Sequence, residues 1–387
     1  MGVPLAYNLR NLVERKATTL MTATGIALTV CVLVTAMALV NGLGQVFSST
    51  GNPLQAIVLR QGGTAELSSV IEEPAFLLIK TKPALAKSPD GEPLASKELL
   101  TVINLPSVDS PSGMNVTVRG LTPLGVGMRD LKVTAGRWYD SANFEVVVGE
   151  SIAKRYPGAS LGSTLKFGKH DWHVVGVFSG GSSTVNSEIW CDLNQLAGDL
   201  GRPGDWSSVL VRAQSPAALD SLINDIKGDQ QLSATAMTEP EYYESLSNAG
   251  KPLQVLGIAV AVIMAIGSGF GAMNTMYAAV ARRGREIGTL RSLGFSRVSI
   301  LCSFMFESLC LALLGGIIGC LLAVPLNGFT TAVGSNTTFS EVAFQFRIGV
   351  SAIVVGLAFA AIIGALGGFL PALAASRRDL LQSLREG

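Results

Sequence analysis

The sequence predicts an α-helical membrane protein with four transmembrane helices and a mixed α/β extracytoplasmic domain between the first and second helices. Three observations predict it. Four long stretches are nearly free of charge: residues 17–59, 252–281, 298–346 (only Glu307 and Glu341) and 348–376. Hydrophobic residues make up 48% of the 387-residue chain and charged residues 15%, well below the roughly 25% charge of soluble domains. The rest of the charge is concentrated in one long insert and in three short basic segments. A net charge of +1, with no basic stripe interleaved with aromatics, gives no sign of nucleic-acid binding.

A helix needs about 20 apolar residues to cross a ~30 Å hydrocarbon core, so spans fit near residues 18–40, 253–280, 300–322 and 348–370. The first has a basic flank like a signal peptide, but its apolar run exceeds the usual ~7–15 residues of such a segment. In order, the chain reads as a cytoplasmic N-terminal helix (1–17), the first span (18–43) and the extracytoplasmic domain (44–251). The second span (252–281), a cytoplasmic loop (282–298) and the third span (299–326) follow. A short outer loop (327–347), the fourth span (348–374) and a cytoplasmic tail (375–387) complete it. The orientation follows from short loops rich in Lys and Arg staying inside. Arg10, Arg15, Lys16, Arg282, Arg283, Arg285, Arg291, Arg297, Arg377, Arg378 and Arg385 face only Glu14, Glu286, Asp379 and Glu386 on that side.

The insert holds all four tryptophans, Trp138, Trp172, Trp190 and Trp206. Strand-like patterns recur at 55–60, 76–80, 115–120, 145–149, 164–167, 172–178, 188–192 and 208–212, separated by turn residues. Helical patterns fit 151–156, 216–226 and 239–250, with Pro252 suited to a first helical turn. A division into two lobes near Asp109–Asn115 is compatible with this pattern. No catalytic set emerges. His170 and His173, three apart on a strand, point to opposite faces, so no metal site is expected. Ser182 and Ser183 lie in a Gly-rich turn with no base placed for them. Gly162 through Gly168, Lys169 and His170 resemble a phosphate-binding loop, but the spacing is one residue too long and His stands where Ser or Thr is needed. Cys191, the insert's lone cysteine, reads as a buried strand residue.

Within the spans, small residues four apart let helix backbones approach closely: Gly267 and Gly271, Gly315 and Gly319, Gly364 and Gly368, and less clearly Ala23 and Ala27. They predict tight packing, or a face for a second copy. Glu307, an acid inside a span, calls for a partner; Ser303 and Ser308 nearby favour a structural hydrogen bond over a proton pathway. In the loop 282–298, Ile287, Leu290 and Leu293 fall at helical spacing beside Arg285, Glu286 and Arg291, and Gly294 is placed to end the turn. Positive-inside anchoring explains the arginines but not the apolar spacing. A short amphipathic helix offered to a soluble partner explains both.

These residues resemble a known family. Arg285-Glu286-Ile287-Gly288-Thr289-Leu290-Arg291-Ser292-Leu293-Gly294, followed by Phe306-Glu307, is similar to the signature of the FtsX-like, or MacB-like, permeases of ABC transporters. Tyr7-Asn8-Leu9 with Arg15-Lys16 resembles the family's N-terminal helix. The run from Pro371 to Arg385 resembles its ending, although Leu381-Gln382 departs from the usual Pro-Val or Pro-Ile. In the insert, Val118 to Pro123, Gly136-Arg137-Trp138, Glu145 to Glu150, Leu161-Gly162 and Val174 to Val177 are similar to the family's periplasmic core domain.

The resemblance implies a non-enzymatic permease subunit of the bacterial inner membrane, with both termini cytoplasmic and the large domain periplasmic. It implies a homodimer or heterodimer of permeases bound to two copies of a separate ABC ATPase. ATP and magnesium would be used by that ATPase, with no cofactor bound by this chain. The ATPase would dock on Arg282, Arg283, Arg285, Glu286, Ile287, Gly288, Leu290, Arg291, Leu293 and Gly294. ATP-driven closure would move the outer domains, a mechanotransmission mechanism serving efflux or the export of envelope lipid or lipoprotein. A membrane-fusion adaptor and an outer-membrane channel would complete such a pump. No fused ATPase is expected, which would set the chain apart from full MacB proteins and make it more like lipoprotein-release or DevC-type permeases. The alternative is an FtsX-like signalling scaffold whose outer domain activates a cell-wall hydrolase.

Overall fold

The computed structural model describes residues 16–108, 110–129, 131–181, 183–247, 251–334 and 340–377. The expected N-terminal helix with Tyr7, Asn8, Leu9, Arg10 and Arg15 lies outside the described residues, as do Asp109, Ser182 and the tail with Arg378, Leu381, Gln382 and Arg385. Two compact units form: one of Met1–Gly42, Lys251–Phe329 and Gln345–Gly387, the other of Leu43–Gly250 and Thr330–Phe344.

Helix α1 (Lys16–Ser48) leads into β1 (Gln55–Arg60), β2 (Ile71–Glu72), α2 (Glu73–Lys80), β3 (Ala95–Leu105), β4 (Met114–Leu121) and α3 (Pro123–Gly127). Next come β5 (Lys132–Gly136), β6 (Glu145–Gly149), α4 (Glu150–Arg155), β7 (Thr164–Phe167), β8 (His170–Ser179), β9 (Glu188–Asp192) and α5 (Leu193–Leu200). Then follow β10 (Asp205–Trp206), β11 (Ser208–Arg212), α6 (Pro216–Gly228), β12 (Ala234–Thr238) and α7 (Glu239–Ser247). The chain closes with α8 (Lys251–Arg282), α9 (Gly284–Ser292), α10 (Arg297–Ala323), the hairpin β13 (Thr330–Gly334) and β14 (Glu341–Gln345), and α11 (Val350–Arg377).

In the first unit α1, α8, α10 and α11 are long and apolar enough to cross a membrane. The helix ends follow local chemistry. The Ser296 side chain accepts from Ser299 N to cap α10, while Gly294, at φ +93°, takes the left-handed turn that ends α9. The small residues explain the close packing. A Cβ at Gly315 would come within 2.8 Å of Ala23 O, and one at Gly319 would strike Ala27 O, so the small-residue pairs of α10 and α1 lie against each other. Gly364 and Gly368 of α11 face Ala312 and Ser308 of α10, and Ser308 Oγ donates to Gly364 O at 2.7 Å. Gly267 and Gly271 behave differently: among the described residues, nothing lies within 4 Å of a Cβ placed there. It is Gly269 and Ala272 of α8 that meet Gly367 of α11. Hydroxyl pairs Thr22–Thr275 at 3.0 Å and Thr29–Ser268 at 2.5 Å join α1 to α8.

The second unit is built on one ten-stranded sheet in the order β12-β1-β11-β3-β4-β9-β6-β8-β5, with β7 pairing β8. The pairs β4/β9 and β6/β8 are parallel and the others antiparallel. The stretch around Asp109–Asn115 is no lobe boundary. Its described residues 110–113 lie between β3 and β4 and Asn115 is already in β4; the two strands pair in register from Glu98↔Leu121 to Leu105↔Met114, and the sheet continues on both sides. Residues 76–80, expected as a strand, are helical in α2. Pro74 opens that helix, and Phe76 and Ile79, three apart, are its buried face. Within the segment expected as a short outer loop, β13 and β14 pair as a two-stranded sheet, and residues Thr330–Phe344 belong to this second unit.

Candidate functional site

The basic loop folds into the short helix α9, Gly284–Ser292, with a division of labour that spacing alone does not give. Helix α8 ends at Arg282 and α9 starts two residues later. Ile287 is buried with Met276 and Val280 of α8, Ile300 and Phe304 of α10, and Ala372 and Ala375 of α11. Gly284 and Gly288 are buried on the same face. Leu290 and Arg291 are half-buried. Arg282, Arg285, Glu286 and Gly294 are exposed, as is Leu293, at 71%. The expected row of apolar knobs is therefore split. Ile287 anchors α9 to the membrane helices, and Leu293 stands out among the charges.

Arg283 and Glu307 explain how α9 is held. Arg283 Nη1 donates to Glu307 Oε2 at 2.6 Å, with the side chains 3% and 6% exposed. The guanidinium lies 5.8 Å from the centre of the Phe304 ring, and its Nε is 3.9 Å from Glu286 Oε2. Arg283 Nη2 has no hydrogen-bond partner among the described residues. Arg283, Glu286, Ile287, Leu290, Ile300, Ser303 and Phe304 line a narrow cleft beside it. The partner of the intramembrane acid is thus an arginine of the loop. Ser308, expected to help, bonds Gly364 instead.

The candidates in the insert separate. His170 Nδ1 lies 2.6 Å from Asp199 Oδ1, whereas His173 Nδ1 lies 3.1 Å from Thr164 Oγ1. The loop resembling a phosphate site is the β7–β8 turn, and an acid of the chain itself already occupies it: Lys169 N donates to Asp199 Oδ1 at 2.8 Å. Burial would raise the Asp199 carboxyl, but hydrogen bonds from His170, Lys169 N and Trp172 outweigh it and hold the group below the usual aspartate value. Ser183 does not stand free in its turn. It is buried, with Oγ 3.1 Å from Thr50 Oγ1. Cys191 is fully buried in β9.

Sequence reasoning missed a buried charge cluster around Arg119 of β4. Its guanidinium bonds Glu66 at 2.8 Å, Glu98 at 2.6 Å and Glu188 at 2.8 Å. Arg129 bonds Glu98 at 2.5 Å. Burial alone would make Arg119 easier to deprotonate, but the charges of Glu188, Glu66 and Glu98 hold it well above its ordinary value. No spacing signal could have grouped these residues, because β3, β4 and β9 become neighbours only in the sheet.

Two family models cover most of the chain. Residues 19–228 match the MacB-like periplasmic core domain and residues 258–380 the FtsX-like permease C-terminal region. The chain is 25% identical over 288 residues to the uncharacterized ABC transporter permease YknZ of Bacillus subtilis, covering 70% of each chain. It is 29% identical over 239 residues to the macrolide export ATP-binding/permease protein MacB of Hahella chejuensis, covering 58% of this chain and 35% of that one. It thus spans about a third of that relative's length. The crystal structure of the periplasmic region of MacB from Actinobacillus actinomycetemcomitans matches at a TM-score of 0.37 and 15% identity, covering 50% of this chain and 93% of that one.

Proposed function

The chain belongs to the family of ABC-transporter permeases that join a MacB-like periplasmic core domain to an FtsX-like C-terminal region, and on that premise we propose that it couples ATP hydrolysis in a separate ATPase to movement of its outer domain. The movement serves efflux or the export of envelope lipid or lipoprotein. ATP and magnesium belong to the ATPase. The permease works as a dimer in the bacterial inner membrane, with its termini and the α8–α10 loop in the cytoplasm. An adaptor protein and an outer-membrane channel continue the path.

The observation that supports this reading is the construction of α9. A nine-residue helix is pinned from beneath by Ile287 and by the Arg283–Glu307 pair. It presents Arg282, Arg285, Glu286 and Leu293 outward. A pinned helix that presents exposed arginines and an apolar tip suits a protein contact, since arginines are among the residues that most often dominate binding energy at such interfaces. Co-purification tests it. Wild-type chain should bring down an ATP-binding subunit, and Arg285→Glu with Leu293→Ala should weaken that capture by roughly tenfold or more, equivalent to about 1.4 kcal/mol, while inserting normally. Undiminished capture would remove the docking role. Capture of a cell-wall hydrolase by the outer domain, without an adaptor, would favour the signalling alternative.

A further inference from the structure

The β13–β14 hairpin joins two membrane helices, α10 and α11, yet its residues Thr330–Phe344 fold as part of the second unit. The attachment is specific. Arg155 Nη1 and Tyr156 Oη both donate to Glu341 Oε1. The Glu341 side chain is 2% exposed. Ala343 N donates to Ser187 Oγ at 2.9 Å, and Phe344 is buried. Beside this contact lies a cavity of about 50 Å³, whose lining includes Phe47, Thr184, Tyr243 and Glu341, with room for a few waters. Thr184 Oγ1, Tyr243 Oη and Glu341 Oε2 are buried there without hydrogen-bond partners among the described residues.

The lining also follows the chain's connectivity. Phe47 ends α1, Tyr243 lies on α7 just before α8, and Glu341 opens β14, which runs on to α11. Phe47, Tyr243 and Glu341 thus lie on three of the four connections between the second unit and the membrane helices, those to α1, α8 and α11.

We propose that Glu341 is a positioning residue that fastens the α10–α11 connection to the sheet, making the hairpin a second lever, beside α1 and α8, through which membrane-helix movement reaches the outer domain. A carboxylate suits the role, since two charge-assisted or short polar donors converge on one of its oxygens while the other faces the cavity, where water exchange lets the contact re-form after strain. The lever role rests on the coupling function proposed above. The fastening itself does not.

The test uses full-length chain in phospholipid nanodiscs, with spin labels at exposed Lys154 on α4 and Thr330 on β13. Wild type should give one narrow distance. Glu341→Gln should lose it to a broad distribution, and Arg155→Gln should do the same from the other side. The exchange of both charges, Arg155→Glu with Glu341→Arg, should restore a narrow distance. Narrow wild-type distances in both single variants would overturn the fastening. In complexes purified with the ATPase, a label at Lys154 on each permease copy should report a nucleotide-dependent shift. Glu341→Gln should abolish that shift while ATP hydrolysis stays within about twofold of wild type. A preserved shift would overturn the lever. Failure of wild type to retain any ATPase would overturn the coupling function, and the first measurement would still decide the fastening.

Discussion

Removing Arg283 strands Glu307 as a buried carboxylate, and breaking one side of such a pair typically costs about 3–5 kcal/mol. Arg283→Gln should therefore lower the thermal stability of the full chain sharply, and Arg283→Gln with Glu307→Gln should recover most of the loss. A double-mutant cycle on purified protein checks this; additive losses would show the two groups to be energetically independent. The sequence marked Glu307 as needing a partner, because an acid in a span is costly. It could not name Arg283, which lies 24 positions away and reads equally well as one more positive-inside anchor. Asp199 gives a pH signature in the outer domain. Its native carboxyl binds a proton less readily than in the unfolded chain. The resulting stabilisation is complete above the ordinary aspartate value of 3.8 and is lost as pH falls through the lower native value. Asp199→Asn should flatten the acid limb of unfolding, followed by the emission of Trp172, whose indole N–H lies 3.3 Å from Asp199. An unchanged limb would assign the acid sensitivity to other carboxylates.

Among the elements, the small-residue pairs make opposite predictions on different helices. Gly319→Leu drives a side chain into the backbone carbonyl of Ala27, which no rotamer relieves, and should destabilise the helix bundle by about 1–3 kcal/mol or more. A Cβ at Gly271 meets nothing within 4 Å among the described residues, and Gly271→Leu should leave the melting of the isolated protomer unchanged. If Gly271→Leu instead lowers dimer content in detergent, that face meets the second copy. Only 11% of the apolar window of α8 is buried, against 39% for α1 and α10, so this helix has the most surface left for lipid or a partner. The four spans were legible because each is a long run with at most one charge, Glu307 in the third. Strands 55–60, 145–149, 164–167, 188–192 and 208–212 were legible from apolar patterning and turn residues. Residues 76–80 misled because a five-residue apolar run carries no period, and Pro74 was the overlooked start signal. Strand β3 was missed because its inward positions include Ser96 and Glu98, both fully buried. Such polar residues fit a core only once Arg119 and Arg129 lie beside them.

At the scale of the whole molecule, the chain consists of a membrane helix bundle that carries the pinned, charged α9 and a separate unit built on a ten-stranded sheet. The hairpin between α10 and α11 was least legible, since residues 327–347 read as a loop; only the long-range contacts of Glu341 reveal it as part of the outer unit. The central claim is that α9 lies in the cytoplasm and grips a motor. The direct measurement is in-cell photo-crosslinking from a residue placed at Leu293, combined with labelling of a cysteine at Arg285 by a membrane-impermeant maleimide. The account predicts a crosslink to an ATP-binding subunit and labelling only after the membrane is opened. Labelling in intact cells, with no such crosslink, would contradict it.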